Sequence, residues 1–188
     1  VLGSNMLYED CNPDGDYLCD QTSHGGIEVS TLIDEAGITD IDLELDQGTH
    51  EGIAITQLTI NDDNETWGHF EYSFDSDHWD DIILSEGQVF PLEETSYIRF
   101  IPHPNWNSGP GSSPDDKPIL KFVAWDQSDG LVQGLAYDAY AYGGSSSLSL
   151  ESNQPDPSIT VWPVNDAPEL RDLSFNIYDF HLQDEDCS

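Results

Sequence analysis

Acidic side chains are the residues of this chain with the greatest capacity for chemistry. The 188 residues include 38 Asp and Glu against four Lys and Arg, which gives a formal net charge of −34. Hard cations such as calcium prefer carboxylate and carbonyl oxygens as ligands. The charge therefore favours bound calcium, with a solvated acidic surface as the alternative. It excludes nucleic acids and anionic membranes as partners, because like charges repel.

One group of closely spaced oxygens lies between two cysteines. Residues 12–16 read Asn-Pro-Asp-Gly-Asp, which suits either a wrapped cation or, preferably, a simple turn. Cys11 and Cys19 flank this turn-rich segment, so its ends can meet in a local disulfide in an oxidising compartment. Cys187 is left over, and it either pairs with a cysteine of a neighbouring unit or stays a free thiol.

Carbohydrate chemistry is indicated at two kinds of residue. Asn64 begins an Asn-Glu-Thr triplet, an acceptor for N-glycosylation, in an acidic turn. Trp79, Trp106 and Trp162 lie beside polar or turn residues, where an exposed indole ring could stack on a sugar. The favoured alternative for these tryptophans is that they fill the core of the fold.

Enzyme chemistry has no support in the sequence. The chain contains no His-Glu-x-x-His pair, Gly-x-Ser-x-Gly elbow, phosphate loop or dinucleotide fingerprint. With 38 acids, nearly any fold brings some carboxylate pair together, so such pairing carries no information. His24, His69 and His103 are expected on loops or at solvent-facing strand positions. The sequence predicts a protein that is not an enzyme.

Short strands dominate the pattern of apolar residues. Period-two alternation, typical of half-buried strands, occurs at 69–74, 97–100 and 120–125. Sustained helical periodicity nowhere exceeds two turns. Further strands are predicted, between clusters of Gly, Pro, Asn and Asp, at 27–33, 53–60, 81–84, 88–92, 158–164 and 173–182. This spacing predicts an all-β fold, an antiparallel sandwich.

The alternation changes phase within the strand predicted at 53–60. Ile53 and Ile55 fall on one face of that strand, whereas Leu58 and Ile60 fall on the other. This change predicts a β-bulge or a strand that passes from one sheet to another.

Two long irregular segments are predicted, at 103–118 and 126–158. Loops of this length are usually functional or form a contact surface. Within the second segment, the alternating Tyr-Asp-Ala-Tyr-Ala-Tyr run at 137–142 could equally form an edge strand. Its tyrosines would then contribute to ordinary packing.

Five segments in chain order resemble a known family. They are Gly-Ile-Ala-Ile-Thr at 52–56; Trp-Gly-His-Phe-Glu-Tyr-Ser-Phe-Asp at 67–75, running on to Trp79; Ile-Arg-Phe-Ile-Pro at 98–102 with Asn-Trp-Asn-Ser-Gly at 105–109; Leu-Lys-Phe-Val-Ala-Trp-Asp-Gln-Ser at 120–128; and Ser-Ile-Thr-Val at 158–161 before Val-Asn-Asp-Ala-Pro-Glu-Leu at 164–170. Together they resemble the cadherin-like repeats of large bacterial surface adhesins and related extracellular proteins. The closing Val-Asn-Asp-Ala-Pro is the most specific of them.

The resemblance implies an immunoglobulin-like or cadherin-like sandwich, tandem extracellular repetition, and calcium at the junctions between repeats. In such modules the calcium ligands come from an acidic pair near the start, an Asp-x-Asp in the middle and an Asn-Asp in the linker. Asp126 follows a strand end and could join them. The positions implied as ligands are Glu9, Asp10, Asp40, Asp42, Asn165 and Asp166.

The two ends of the chain resemble each other. Residues 2–11 and 170–187 are each an apolar, strand-like run that closes on acidic residues and a cysteine. We therefore expect a sandwich module over 1–166, followed by a linker and strand over 167–188 that reach into the next repeat or protomer.

A strand after the linker has no evident place in its own module. Donation to a neighbour would supply main-chain hydrogen bonds and pockets for the apolar side chains of 173–182. The N-terminal segment 2–10 could serve as the donor instead. The apolar positions of the first candidate are Phe175, Ile177, Phe180 and Leu182.

The sequence thus predicts a structural extracellular module of a fibre, stalk or adhesin. The module would associate head-to-tail with copies of itself or with adjacent repeats, with calcium at the junctions. The alternative is a carbohydrate-binding adhesion domain of a longer cell-surface protein.

Overall fold

A computed structural model describes residues 7–8, 26–38, 51–60, 67–103, 106–108, 117–139, 141–143, 146–149 and 161–162, with the backbone alone at the first and last of these. These residues form ten strands and one helix. In chain order they are β1 (Leu7–Tyr8), β2 (Ile27–Glu28), α1 (Val29–Ala36), β3 (Gly52–Thr59), β4 (Gly68–Ser73), β5 (Asp80–Asp81), β6 (Gln88–Glu93), β7 (Tyr97–Pro102), β8 (Ile119–Trp125), β9 (Tyr137–Asp138) and β10 (Val161–Trp162).

Two four-stranded antiparallel sheets make up most of the structure. The first sheet has the strand order β2-β7-β4-β5, and the second has the order β8-β3-β6-β9. Their inner faces meet in one core, where the ring of Tyr72 on β4 lies 5.1 Å from that of Phe90 on β6. The predicted all-β sandwich is confirmed. A separate two-stranded ladder pairs β1 with β10 in parallel.

The main core is built from the alternating positions of the strands, as the period-two pattern predicts. On β7, Ile98 and Phe100 are buried, while Tyr97 and Arg99 are only half-buried. The buried members of the main core are Val29, Leu32, Ile33, Ile53, Ile55, Trp67, Phe70, Ile82, Phe90, Leu92, Ile98, Phe100, Trp106, Leu120 and Phe122.

The strand predicted over 27–33 is wrong after its first two residues, because the chain turns into α1. Val29, Leu32 and Ile33 are spaced as on one face of a helix, and all three are buried in the main core. The helix ends at Gly37, which has a left-handed φ of 64°. Among the described residues, no helix is long and apolar enough to cross a membrane.

The strand predicted over 81–84 is also wrong beyond Asp81. The amide of Ile82 donates to the carbonyl of Phe70 at 2.8 Å, and its side chain enters the main core. Ile83 then projects into solvent, so the chain leaves the edge of β4 after that contact. The strands predicted at 69–74, 88–92, 97–100 and 120–125 are confirmed as β4, β6, β7 and β8.

The change of phase in β3 is a β-bulge. Opposite β8, the pairing shifts between Ile55 and Gln57, so that the apolar residues on either side of the shift face the same core. The bulge predicted from the sequence is confirmed.

Apolar residues also cover the outer face of the second sheet. The segment after β8 folds back over this face, where Ala54, Val89, Val123, Trp125 and Leu148 form an outer cluster. β9 pairs with β6 at the edge of the sheet, so an edge strand forms at the first two residues of the run 137–142. The described part of the second irregular segment contributes Leu131, Tyr137, Ala139, Tyr142 and Leu148 to this cover.

Candidate functional site

The outer face of the first sheet gathers four ionisable side chains. On β4, His69 and Glu71 alternate with the buried Phe70, so both project away from the core. The register places Arg99 of β7 opposite Glu71 on one side and Asp81 of β5 opposite it on the other. Cross-strand neighbours of this kind lie close enough for their side chains to interact.

Glu71 is held firmly by Arg99. Its Oε2 atom accepts from Arg99 Nε at 2.6 Å and lies 2.6 Å from Arg99 Nη2. The two side chains are only 11% and 16% exposed, and the guanidinium carbon lies 4.0 Å from the ring centroid of Trp79. Charge-assisted hydrogen bonds and the cation–π contact together fix the orientation of the carboxylate.

His69 lies between two carboxylates. Its Nε2 atom is 3.2 Å from Oε1 of Glu71 and 3.6 Å from Oδ1 of Asp81. One potential ligand atom from each residue lies within 4.8 Å of the others. The arrangement can do one of two things: a protonated imidazole can bridge the carboxylates, or the three side chains can bind one metal ion. A nitrogen and two oxygens suit zinc better than calcium, which takes six to eight oxygens.

The turn that leads to Trp79 is organised by Asp75. This carboxylate accepts from the amides of Asp77 at 2.9 Å and His78 at 2.8 Å, and it lies 2.7 Å from His78 Nδ1. Hydrogen bonds from the backbone and ring of His78 hold the pKa of Asp75 well below its ordinary range. In return, Asp75 raises the pKa of His78. Trp79 Nε1 donates to the carbonyl of Ser76 at 3.2 Å, which links the indole to this turn.

Of the three tryptophans considered for glycan stacking, Trp79 and Trp106 have described side chains, and these differ in position. Trp106 is 9% exposed in the main core, and its ring is stacked on that of Trp67 at a centroid distance of 5.5 Å. Trp106 therefore fills the core, as the favoured alternative expects, and Trp67 already covers the face that a sugar would need. Trp79 is half-buried beneath Arg99 on the outer face of the first sheet.

Asp126 is the one implied calcium ligand among the described residues. It follows β8, and its Oδ1 atom accepts from the amide of Ser128 at 2.8 Å, which closes a tight turn. The remaining predicted positions lie outside the described residues. They include the other implied ligands, the disulfide, glycosylation and strand-donor positions, and the boundary after 166. The residues concerned are Glu9, Asp10, Asp40, Asp42, Asn165 and Asp166; Cys11, Cys19 and Cys187; residues 12–16; Asn64; and Phe175, Ile177, Phe180 and Leu182.

A groove of about 440 Å³ opens beside the bulge of β3. Its walls are mainly hydroxyl and amide groups, which can hydrogen-bond a polar ligand. Gln88 is held in place there, since its Oε1 accepts from the amide of Ser85 at 3.1 Å. The lining residues are Thr56, Gln57, Leu58, Leu84, Ser85, Glu86, Gly87, Gln88 and Tyr142.

Sequence reasoning missed the grouping around His69. It did place His69 correctly at a solvent-facing strand position, and the spacing to Glu71 puts both side chains on one face. Asp81 could not be added, because its partner depends on the register across the turn at 74–79.

Comparison with known proteins found no family model, no curated protein and no solved structure that matches this chain. The sandwich is therefore established by the strand pairing alone. The cadherin-like character of the module rests on its sequence motifs and is a proposal.

Proposed function

We propose that this chain is a structural module of an extracellular fibre, stalk or adhesin. It associates head-to-tail with copies of itself or with adjacent repeats, through a donated terminal strand and with calcium at the junctions. The observation that best supports this proposal is the parallel pairing of the first and last described strands.

In the parallel ladder, Leu7 pairs with Val161 and Tyr8 pairs with Trp162. The chain therefore enters β1 at one end of the ladder and leaves β10 at the other. An antiparallel pair would bring the incoming and outgoing chain to the same end. Opposite ends suit a module that receives one neighbour and passes a strand to the next, as in repeat arrays.

In the part of the chain that the structure describes, both edge strands of the first sheet are only two residues long. Among the described residues, β2 pairs with only Tyr97 and Ile98 of the six residues of β7. β5 likewise pairs with only two residues of β4. Strand addition uses such edges, with main-chain hydrogen bonds for affinity and side-chain pockets for specificity.

The decisive experiment compares the full chain with a chain that lacks residues 172–188. We expect the full chain to sediment as larger species as its concentration rises. The truncated chain should stay monomeric with an unchanged melting temperature. Strand donation from this end is ruled out if the truncated chain assembles as the full chain does, or if the full chain stays monomeric.

A matched pair of full-length variants distinguishes specific strand docking from nonspecific association. Replacing Phe175 and Ile177 by Ser removes apolar side chains that would enter a neighbour's pockets. Replacing Asn176 and Asp179 by Ser changes polar positions of the same segment. Assembly should be lost in the first variant and kept in the second. Equal loss in both would contradict specific docking.

The second candidate is a carbohydrate-binding adhesion domain of a longer cell-surface protein. The polar groove beside β3 supports it, since hydroxyl and amide groups line the groove around Tyr142. Glycan screening of the full chain tests it. Gln57→Ala should lose glycan binding and keep the melting temperature of the parent. Loss of binding in Trp79→Ala instead would indicate that the glycan binds on the outer face of the first sheet.

A further inference from the structure

We propose that His69, Glu71 and Asp81 bind one divalent transition-metal ion of the zinc class on the outer face of the first sheet. This inference does not depend on the proposed assembly function. It rests on the separations of the ligand atoms, on the way Glu71 is held, and on the chemistry of the three side chains.

Two of the three separations between the ligand atoms are close to the edges of a tetrahedron around zinc, and the third lies within 4.8 Å. Zinc binds histidine nitrogen and carboxylate oxygen at about 2.0–2.2 Å, which places neighbouring ligand atoms about 3.3–3.6 Å apart. His69 Nε2 lies 3.2 Å from Glu71 Oε1 and 3.6 Å from Asp81 Oδ1. Adjustment of the exposed Asp81 side chain would bring the third pair of ligand atoms to the same spacing.

Glu71 is already oriented for this role. Arg99 engages Oε2, and this leaves Oε1 directed toward His69. The guanidinium is held in turn against Trp79. Groups that hydrogen-bond a metal-binding carboxylate from behind fix its orientation and tune the affinity of its site.

Access and charge both favour a cation at this position. The side chains of His69 and Asp81 are 46% and 63% exposed, so an ion can enter from solvent and water can complete its coordination. The site has two carboxylates but only one guanidinium, which pairs with Glu71, and the whole chain has a net charge of −34, which raises the local concentration of cations. One imidazole and two carboxylates favour zinc, copper or nickel over calcium and magnesium.

The test is a calorimetric titration of the full chain with zinc. Free thiols are first alkylated, and calcium is present in excess, so that neither thiolates nor oxygen-only sites compete. We expect one zinc ion per chain at this site. His69→Gln and Asp81→Asn should each weaken its affinity by at least about tenfold.

His78→Gln is the matched control, because His78 is also an exposed histidine beside a carboxylate, with Asp75 as its partner. This variant should bind zinc as the parent does. Circular dichroism confirms that each variant is folded, and a nitrogen-15 spectrum should show the shift of the His69 ring on binding. The proposal is overturned if the parent binds no zinc, or if all three variants bind it equally. The first outcome would leave His69 as a bridge between two carboxylates only.

Discussion

Arg99 organises the outer face of the first sheet through two contacts of different kinds. Its guanidinium pairs with the carboxylate of Glu71 and lies over the ring of Trp79. The sequence indicates that Arg99 alternates with buried residues, but it does not reveal either partner. Both contacts depend on the pairing of β7 with β4 and on the turn before Trp79.

Replacing Arg99 by Met should lower the free energy of unfolding by about 2–3 kcal/mol, because Glu71 would remain largely buried without its cation. Lys121→Met is the matched control, since Lys121 is a strand cation for which the described contacts include no ion pair. It should change stability by less than about 0.5 kcal/mol. Denaturant unfolding measures both, and equal losses would contradict the role assigned to Arg99.

The pair of Asp75 and His78 gives the turn at 74–79 a defined pH dependence. The lowered pKa of Asp75 stabilises the folded turn above the ordinary aspartate pKa of about 3.9, and this contribution is lost as the pH falls through the folded value. The raised pKa of His78 stabilises it below the ordinary histidine pKa of about 6.5, and this contribution is lost as the pH rises through the folded value. The turn is therefore best stabilised between these two ordinary pKa values.

Proton NMR of the His78 ring measures this coupling directly. Asp75→Asn should lower the pKa of His78 toward its ordinary value, because the main hydrogen-bond partner loses its charge. Asp77→Asn removes a weaker, purely electrostatic contribution and should lower the same pKa by less. An unchanged titration of His78 in Asp75→Asn would contradict the assigned pairing.

At the scale of elements, a strand could be predicted wherever the apolar residues fit the two-residue period of a strand and not the period of a helix. The alternation in β7 and β8 has no helical counterpart. The change of phase in β3 left two causes open, a bulge or a change of sheet, and the pairing with β8 shows the bulge. The helix α1 was missed because the sequence over 27–33 also fits the alternation of a strand, with Ile27, Val29, Thr31 and Ile33 on one face. Leu32 beside Ile33 fits only the helix, and packing against the main core decides between the two.

Gly68 determines how closely β4 approaches β7. Its φ is 154°, and a Cβ atom there would lie 2.2 Å from the carbonyl oxygen of Ile101 and 2.6 Å from the ring of Phe100. Gly68→Ala should therefore destabilise the fold by more than about 2 kcal/mol.

Gly87→Ala is the comparison for this prediction. Gly87 also has a positive φ, of 79°, but nothing lies within 4 Å of an added Cβ atom. The cost should be about 1–2 kcal/mol from the backbone alone. Thermal and denaturant unfolding measure the two variants side by side. If Gly68→Ala costs no more than Gly87→Ala, the close approach of the strands is not what requires glycine at this position.

At the scale of the whole molecule, charge and chain direction are the main features. A net charge of −34 makes the compact state repel itself, so bound or screening cations should stabilise it. The sequence predicts this general dependence on cations. It does not reveal the direction of the terminal strands, because the pairing of β1 with β10 joins residues more than 150 positions apart.

Removal of calcium should lower the melting temperature by several degrees, since an ion that binds only the folded form stabilises it. The control is sodium chloride at matched ionic strength, which screens charge without occupying a calcium site. Chelation should destabilise the chain even in that salt. A melting temperature that depends on ionic strength alone would indicate a solvated acidic surface and would contradict stabilisation by bound calcium.

Head-to-tail association is tested most directly by negative-stain electron microscopy of the purified full chain, with and without chelator. We predict filaments one module wide whose repeat matches a single sandwich, shortened or more flexible when calcium is removed. Isolated particles at every concentration, in the presence of calcium, would contradict the assignment of this chain as a module that assembles end to end.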